Sequence, residues 1–284
     1  MKNLPVVLTA VLAACTAAPA AAQGADPNPG RLTLTAGVDV ANAYMFRGIR
    51  QDDTGVITWP WADAAIDVFD GSGGLQNVVI NVGTWNSLHS GETGSDGPNE
   101  KLWYESDFYT GVTLGLPRTV SVGALFTAYT SPNNMFSSVK ELAIRVGMDE
   151  TAAFTNVSLR PYVLAAFEMA TSPGQGQADG GLEAGRYLEI GIAPGWTNER
   201  ATIAFPVKTG WSLSNYYELA GEDHAFGFLS AAAAASVPLG SATGYGAWTL
   251  RGTIEFQALG DTPEAFNGGD QSKIVGSVGI TLTY

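Results

Sequence analysis

The last eleven residues, Ile274-Val-Gly-Ser-Val-Gly-Ile-Thr-Leu-Thr-Tyr284, constrain this chain more than any other stretch. Side chains alternate across a strand. Ile274, Val278, Ile280, Leu282 and Tyr284 therefore share one face, interrupted only by Gly276. Lys273, Ser277, Gly279, Thr281 and Thr283 share the other. One face is greasy and the other is polar or small. A strand of this kind, closing on an aromatic ring, is expected at the end of a bacterial outer-membrane β-barrel. The last strand of a soluble sandwich would alternate in the same way, so the rest of the sequence has to decide.

The other end carries an export leader. Lys2 precedes an apolar stretch, Leu4 to Ala14, and the small residues Ala20-Ala21-Ala22 precede Gln23. A basic start, a short apolar run and a small-residue site form a cleavable signal peptide. Residues 1–22 are expected to be removed, with 23–31 left as a short periplasmic segment and 32–284 as the barrel. Leu12-Ala13-Ala14-Cys15 also reads as a lipidation site, and both alternatives place the chain outside the cytoplasm. Cys15 is the only cysteine, so no intramolecular disulfide or thiolate metal site can form.

Composition narrows the class further. Hydrophobic residues make up 45% and charged residues 14%, yet no later run approaches a membrane helix of about 20 apolar residues. Such a chain can still face lipid if its apolar residues alternate. The formal charge is −13, or −14 once Lys2 leaves (13 bases against 27 acids), which argues against nucleic acid or anionic lipid as a partner.

Twelve alternating segments can be marked, at about 32–46, 58–69, 76–86, 102–116, 119–130, 139–148, 155–169, 186–195, 201–213, 225–237, 246–258 and 272–284. Most suit a tilted membrane strand of about 9–11 residues. The linkers give a second signal. Short ones (Gly71 to Gly74, Pro117-Arg118, Pro238 to Gly244) alternate with longer polar ones (His89 to Pro98, Ser172 to Gly185, Gly260 to Asp270). This is the asymmetry of periplasmic turns and external loops, and an even strand count puts both termini in the periplasm. The expected fold is all-β: a transmembrane antiparallel up-and-down barrel of about 12 strands. Closure leaves no sheet edge exposed.

Trp59, Trp61, Trp85, Trp103, Tyr129 and Trp211 map to the outer strand ends, and Trp196, Tyr245, Trp248 and Tyr284 to the periplasmic ends. Two interfacial aromatic belts are expected from that clustering. Pro161 and Pro206 fall inside segments and should each mark a bulge, a register change or a misplaced boundary. The run Ala231 to Ala235 is poor strand composition.

Asn42-Ala-Tyr44-Met-Phe46-Arg47-Gly48-Ile-Arg-Gln51-Asp52-Asp53 closes the first segment. It resembles the Tyr-x-Phe-Arg-Gly-x-Ser-Gln signature of the TorF-like porins. Further echoes are Val82-Gly-Thr-Trp85-Asn-Ser87, Trp103-Tyr-Glu105-Ser-Asp107-Phe-Tyr109-Thr-Gly111 and Val122 to Tyr129. The likeness covers mainly residues 32–130. It departs at Arg50, where the signature has Ser, and at Thr130-Ser131-Pro132, where the family's fifth strand ends on Tyr-Pro. The resemblance implies an outer-membrane barrel with a pore role and names no solute.

Inward positions carry the acids Asp39, Asp63, Asp67, Glu105, Asp107, Glu141, Glu168, Glu189 and Glu255, and the bases Arg145, Arg160, Lys208, Arg251 and Lys273. A base facing lipid at midplane would cost about 2–4 kcal/mol, so these residues must face the lumen. They either pair across strands as a solvated lattice or line a water-filled pore whose acidic excess favours cations. Inward glycines (Gly37, Gly83, Gly111, Gly123, Gly147, Gly191 and Gly210) leave space. Arg47, at the outer rim, either lines an eyelet or pairs with Asp52 or Asp53 to order the first loop.

Enzymatic chemistry finds little support. The histidines are His89 and His224, both in or beside external loops. Ser87, Ser90 and Glu92 near His89 allow a triad to be drawn, but loops are rich in such residues. No metal-ligand spacing appears, and Glu92, Asp96 and Glu100 read as a solvated acidic loop. The expectation is a non-enzymatic outer-membrane channel for small, cationic or neutral solutes, without a cofactor. The alternative is a structural or surface-binding barrel with a charge-plugged lumen. Expected partners are outer-membrane lipid and lipopolysaccharide, and the barrel-assembly machinery through the strand ending at Tyr284. The sequence marks no oligomer interface.

Overall fold

The computed structural model describes residues 30–91, 102–149, 157–169, 183–240 and 244–284. Residues 1–22, with Cys15, and the acidic residues Glu92, Asp96 and Glu100 lie outside the described residues.

Twelve strands form one closed antiparallel barrel. They are β1 (Leu32–Ala41), β2 (Ile57–Asp70), β3 (Asn77–His89), β4 (Trp103–Gly115), β5 (Val120–Thr130) and β6 (Val139–Met148). The series continues with β7 (Tyr162–Glu168), β8 (Arg186–Ile192), β9 (Val207–Ser214), β10 (Phe226–Pro238), β11 (Ala247–Leu259) and β12 (Ser272–Thr283). Each pairs with its sequence neighbour. β1 pairs with β12 from Thr35↔Thr283 to Ala41↔Ser277, which closes the sheet on itself. The end that carries Leu32 and Thr283 is termed the termini end, and the opposite one the loop end.

Pleating decides what faces outward. Leu32, Leu34, Val38, Val40, Ile80, Val82, Phe108, Val112, Ile190, Leu250, Ile254 and Val278 are all exposed, on the outside of the wall. A soluble protein would bury such residues; a band of them around a barrel is a lipid-facing surface. Charged side chains on that outer face sit at strand ends, as with Lys140 and Arg186.

Both prolines mark interruptions. Pro161 lies just before β7, so the segment expected from 155 is shorter. Arg160, expected to point into the lumen from a strand, instead sits in the preceding turn with φ 45° and its Nε 3.3 Å from Asp149. Pro206 separates β9 from the short strand Thr202–Ala204, which pairs with β10 and with Gly195–Thr197. The alanine run forms strand despite its weak propensity, because β10 is hydrogen-bonded on both sides. Tertiary pairing overrides local preference.

The first segment differs from its expected span. β1 stops at Ala41, and Tyr44–Phe46 pairs with Ile49–Asp52 as a separate two-stranded hairpin. Ala43 to Ile49 are all buried. A loop-end connection that faced solvent could not bury them; the hairpin is folded into the barrel.

The outer aromatic belt needs correcting for the same reason. Trp59, Trp61, Trp85 and Tyr129 are buried inside the wall, and only Trp103 and Trp211 of that set face outward. Trp59 and Trp61 share parity with Asp63, so a register that turns Asp63 inward turns them inward too. At the termini end Trp196, Tyr245, Trp248 and Tyr284 are exposed as expected.

Candidate functional site: a lumen closed by the first loop

The hairpin turns tightly at Arg47 (φ 47°) and Gly48 (φ 88°). Two consecutive left-handed residues are what a two-residue hairpin turn requires. Glycine takes that conformation freely, whereas arginine does so at a cost of about 1–2 kcal/mol. The barrel wall offsets that cost. Arg47 Nη1 and Nη2 donate to Glu141 Oε2 and Oε1 on β6 at 2.7 and 2.8 Å, and Nη1 also donates to the Tyr216 hydroxyl at 2.7 Å. The guanidinium lies 4.0 Å from the centre of the Tyr187 ring. The Tyr217 hydroxyl donates to the Arg47 carbonyl oxygen at 2.8 Å. Both charged side chains are almost fully buried, at 5% and 1% exposure. Of the two readings of Arg47, neither names its partner: it pairs with Glu141, not with Asp52 or Asp53.

Gly48 is held on both sides. A Cβ there would lie 3.2 Å from Phe228 Cβ, and Asn267 Nδ2 donates to the Gly48 carbonyl at 2.9 Å. Asn267 follows the short helix α1 (Asp261–Phe266), and Thr262 in that helix donates to the Tyr217 carbonyl. Three loop-end connections thus converge on the tip: the hairpin, the Tyr216-Tyr217 loop and the α1 loop.

The flank of the hairpin packs on aromatic rings. Tyr44 makes ring contacts with Trp59, Trp85, His89 and Tyr104, and Phe46 with Tyr129. Beside them runs a polar chain. Ser87 Oγ lies 2.6 Å from His89 Nε2, and His89 Nδ1 lies 3.0 Å from Asp52 Oδ2 of the hairpin. The residue types are those of a nucleophile, base and acid. The setting is not: Ser87, His89 and Asp52 are all buried, and Ser87 accepts Trp59 Nε1 at 3.1 Å. The chain fastens the hairpin to β3.

The other expected lumen residues differ in burial. Asp63, Glu105, Asp107, Glu141, Glu168, Lys208 and Glu255 are buried. Asp63 accepts from Asn81 at 3.3 Å, Glu168 from the Gly185 amide at 2.7 Å, and Glu255 from Gln257 at 3.0 Å. Asp39, Asp67, Arg145, Glu189 and Arg251 are half-buried, as are the small inward residues Thr33, Thr35, Thr113, Ser121 and Gly123. Arg251 Nη2 grips both oxygens of Asp39, at 2.8 and 2.7 Å, and Lys208 lies 3.8 Å from Glu189. Lys273 pairs with Asp53 at 2.6 Å. The structure therefore brings together part of the expected ion-pair lattice. Asp63, Asp67, Glu105, Asp107 and Glu255 have no ion-pair partner among the described residues.

The aromatic and hydroxyl residues that hold the hairpin (Tyr187, Tyr216, Tyr217 and Phe228) went unmarked in the sequence. Inward parity would have found Tyr187, which precedes Glu189 by two. Tyr216 and Tyr217 lie in a loop, where no period applies.

A closed, twelve-stranded antiparallel barrel, apolar outside and polar inside, has the fold of an outer-membrane β-barrel. Among solved structures it is similar to an outer membrane channel from Pseudomonas putida F1, with a TM-score of 0.53 at 9% identity, covering 90% of this chain and 97% of that one. LpxR from Salmonella typhimurium (TM-score 0.46, 9% identity, 87% and 99% covered) and the NanC porin (0.43, 10%, 88% and 98%) also match, more loosely. No family model and no curated protein sequence matches the chain, so the likeness to TorF-like porins rests on the motif residues alone.

Proposed function

We propose that this protein is an outer-membrane porin-like channel for passive diffusion of small solutes, closed in this conformation by its first-loop hairpin. One observation carries the reading. The loop-end half of the lumen is filled by a segment inserted from the loop side, not by a core of the strands' own side chains alone. Removing a loop from a lumen leaves a path; removing a core does not.

Acids support a preference for cations. Asp63, Glu105 and Asp107, all buried, are not neutralised by a nearby base among the described residues. Rings of carboxylates favour cations at close range. The termini would face the periplasm, with lipid and lipopolysaccharide around the wall.

The aromatic packing of Tyr44 and Phe46 favours a second reading, a barrel that stays shut and works through its loops. Single-channel recording of the refolded barrel under a KCl gradient separates the two. Discrete steps with a cation-directed reversal potential support the channel. Silence from protein that shows a heat-modifiable gel band would leave the closed barrel.

A further inference from the structure

Arg145 stands apart from the other bases of the lumen. Arg47, Lys208, Arg251 and Lys273 each face a carboxylate within 4 Å. The Arg145 guanidinium instead lies 4.2 Å from the centre of the Tyr162 ring and makes no hydrogen bond or ion pair among the described residues. The carboxylate that acts on it electrostatically, Glu189, lies beyond ion-pair distance and is already engaged by the hydroxyls of Tyr162 and Tyr187, at 2.7 and 2.8 Å. Those bonds fix Tyr162 as a platform beneath the guanidinium. The planar donor fork of Arg145 is left to the lumen, in its half-exposed part.

The space in front of the fork is kept open by glycine. Gly123 is the direct cross-strand partner of Arg145 on β5, and Gly147 is the next inward residue on β6. At most inward glycines a side chain would collide: a Cβ would lie 2.4 Å from the nearest atom at Gly83 and Gly210, and 2.8 Å at Gly111. At Gly123 and Gly147 the nearest atoms would be 3.4 and 3.6 Å away, an ordinary contact. Packing does not demand glycine at either position. What glycine provides there is room beside a free guanidinium.

From this juxtaposition we infer that Arg145, supported by Tyr162 and flanked by Gly123 and Gly147, is a binding site for the carboxylate of a small monoanionic solute. A guanidinium fork matches a carboxylate with two parallel hydrogen bonds, and an aromatic face beneath it holds its orientation. A single base cannot neutralise a dianion, and the uncompensated acids of the same lumen repel one more strongly than a monoanion. The site goes beyond the channel reading, because it can be occupied whether or not the hairpin ever leaves.

NMR of the refolded barrel, labelled at the arginine side chains, tests the site without any conductance. The Arg145 resonance is assigned by its loss in Arg145→Met. Sodium acetate, acetamide, sodium phosphate and sodium chloride are titrated at matched ionic strength. Acetate should shift the Arg145 resonance saturably, with half-saturation on the order of 1–10 mM, while the Arg251 resonance stays in place. Gly147→Val, which suits a strand but fills the space, should weaken acetate binding at least about tenfold. A heat-modifiable band establishes that this variant folds. Acetate shifts no larger than those with acetamide or chloride would overturn the site. Parallel movement of Arg251 would do the same, and tighter binding of phosphate would overturn the monoanion assignment. Unaltered binding in Gly147→Val would remove the glycines from it.

Discussion

Arg47 and Glu141 meet inside the barrel, two guanidinium nitrogens on two carboxylate oxygens, although they stand 94 positions apart in the sequence. One stands at the tip of a loop and the other in the wall. The ion pair is therefore the fastening between the part that fills the lumen and the part that encloses it. A buried pair contributes little relative to an apolar pair of the same shape, but removing one partner leaves an uncompensated charge at a cost of about 3–5 kcal/mol.

Glu141→Gln should accordingly loosen the hairpin more than the wall. Strands on either side of β6 keep their full ladders, whereas Arg47 loses its counter-charge. Limited proteolysis of the folded variant should cut within residues 42–56 at least about tenfold faster than in the wild type, with the heat-modifiable band retained. Equal protection in both would mean the pair does not hold the loop.

Gly48→Ala strains the turn in two ways. It places a Cβ at φ 88°, and that Cβ sits 3.2 Å from Phe228. The backbone conformation alone costs about 1–2 kcal/mol. The same change at Gly240, with φ 94° but nothing within 4 Å, isolates the backbone part. Gly48→Ala should expose the hairpin to protease more than Gly240→Ala does.

Tryptophan quenching reads the corrected aromatic assignment directly. Brominated lipids should quench emission from Trp103, Trp196, Trp211 and Trp248, which face outward, and spare Trp59, Trp61 and Trp85. Single-tryptophan variants give each residue its own signal. Efficient quenching of Trp59 would turn the wall inside out.

Acid should release the root of the hairpin before the barrel. Lys273 donates a hydrogen bond to Asp53, which holds that carboxyl below its ordinary value of 3.8; slight burial opposes this and Arg50 adds to it. A lowered folded-state value means the contribution is complete above 3.8 and is lost as pH falls through the lower folded value. Amide exchange in residues 49–56 should accelerate on acidification below about pH 4. Asp53→Asn should remove that pH dependence.

Much of the wall was legible because period-two alternation is dictated by the pleat. The strand at 139–148 matches its expected span, and the one at 226–238 lies within a residue of it. The candidate site was legible residue by residue but not as an assembly. Glu141 was assigned to the inward face, and Arg47 was singled out, yet their pairing depends on a loop folding back through the barrel. No periodicity encodes that. Tyr44 and Phe46 continue the alternation of β1 and so read as more strand, while the turn at Arg47-Gly48 is set by partners distant in sequence. Trp59 and Trp61 were misplaced for a different reason: a preference of tryptophan for interfaces was allowed to outweigh their parity with Asp63.

Single-channel conductance of the wild type against a variant in which residues 43–53 are replaced by a short Gly-Ser linker tests the channel and its closure together. Both proteins are refolded, checked for the heat-modifiable band and recorded in the same bilayer under a KCl gradient. The expected result is rare or small openings for the wild type and sustained, cation-preferring current for the variant. A folded variant that is as silent as the wild type would contradict a hairpin-closed channel.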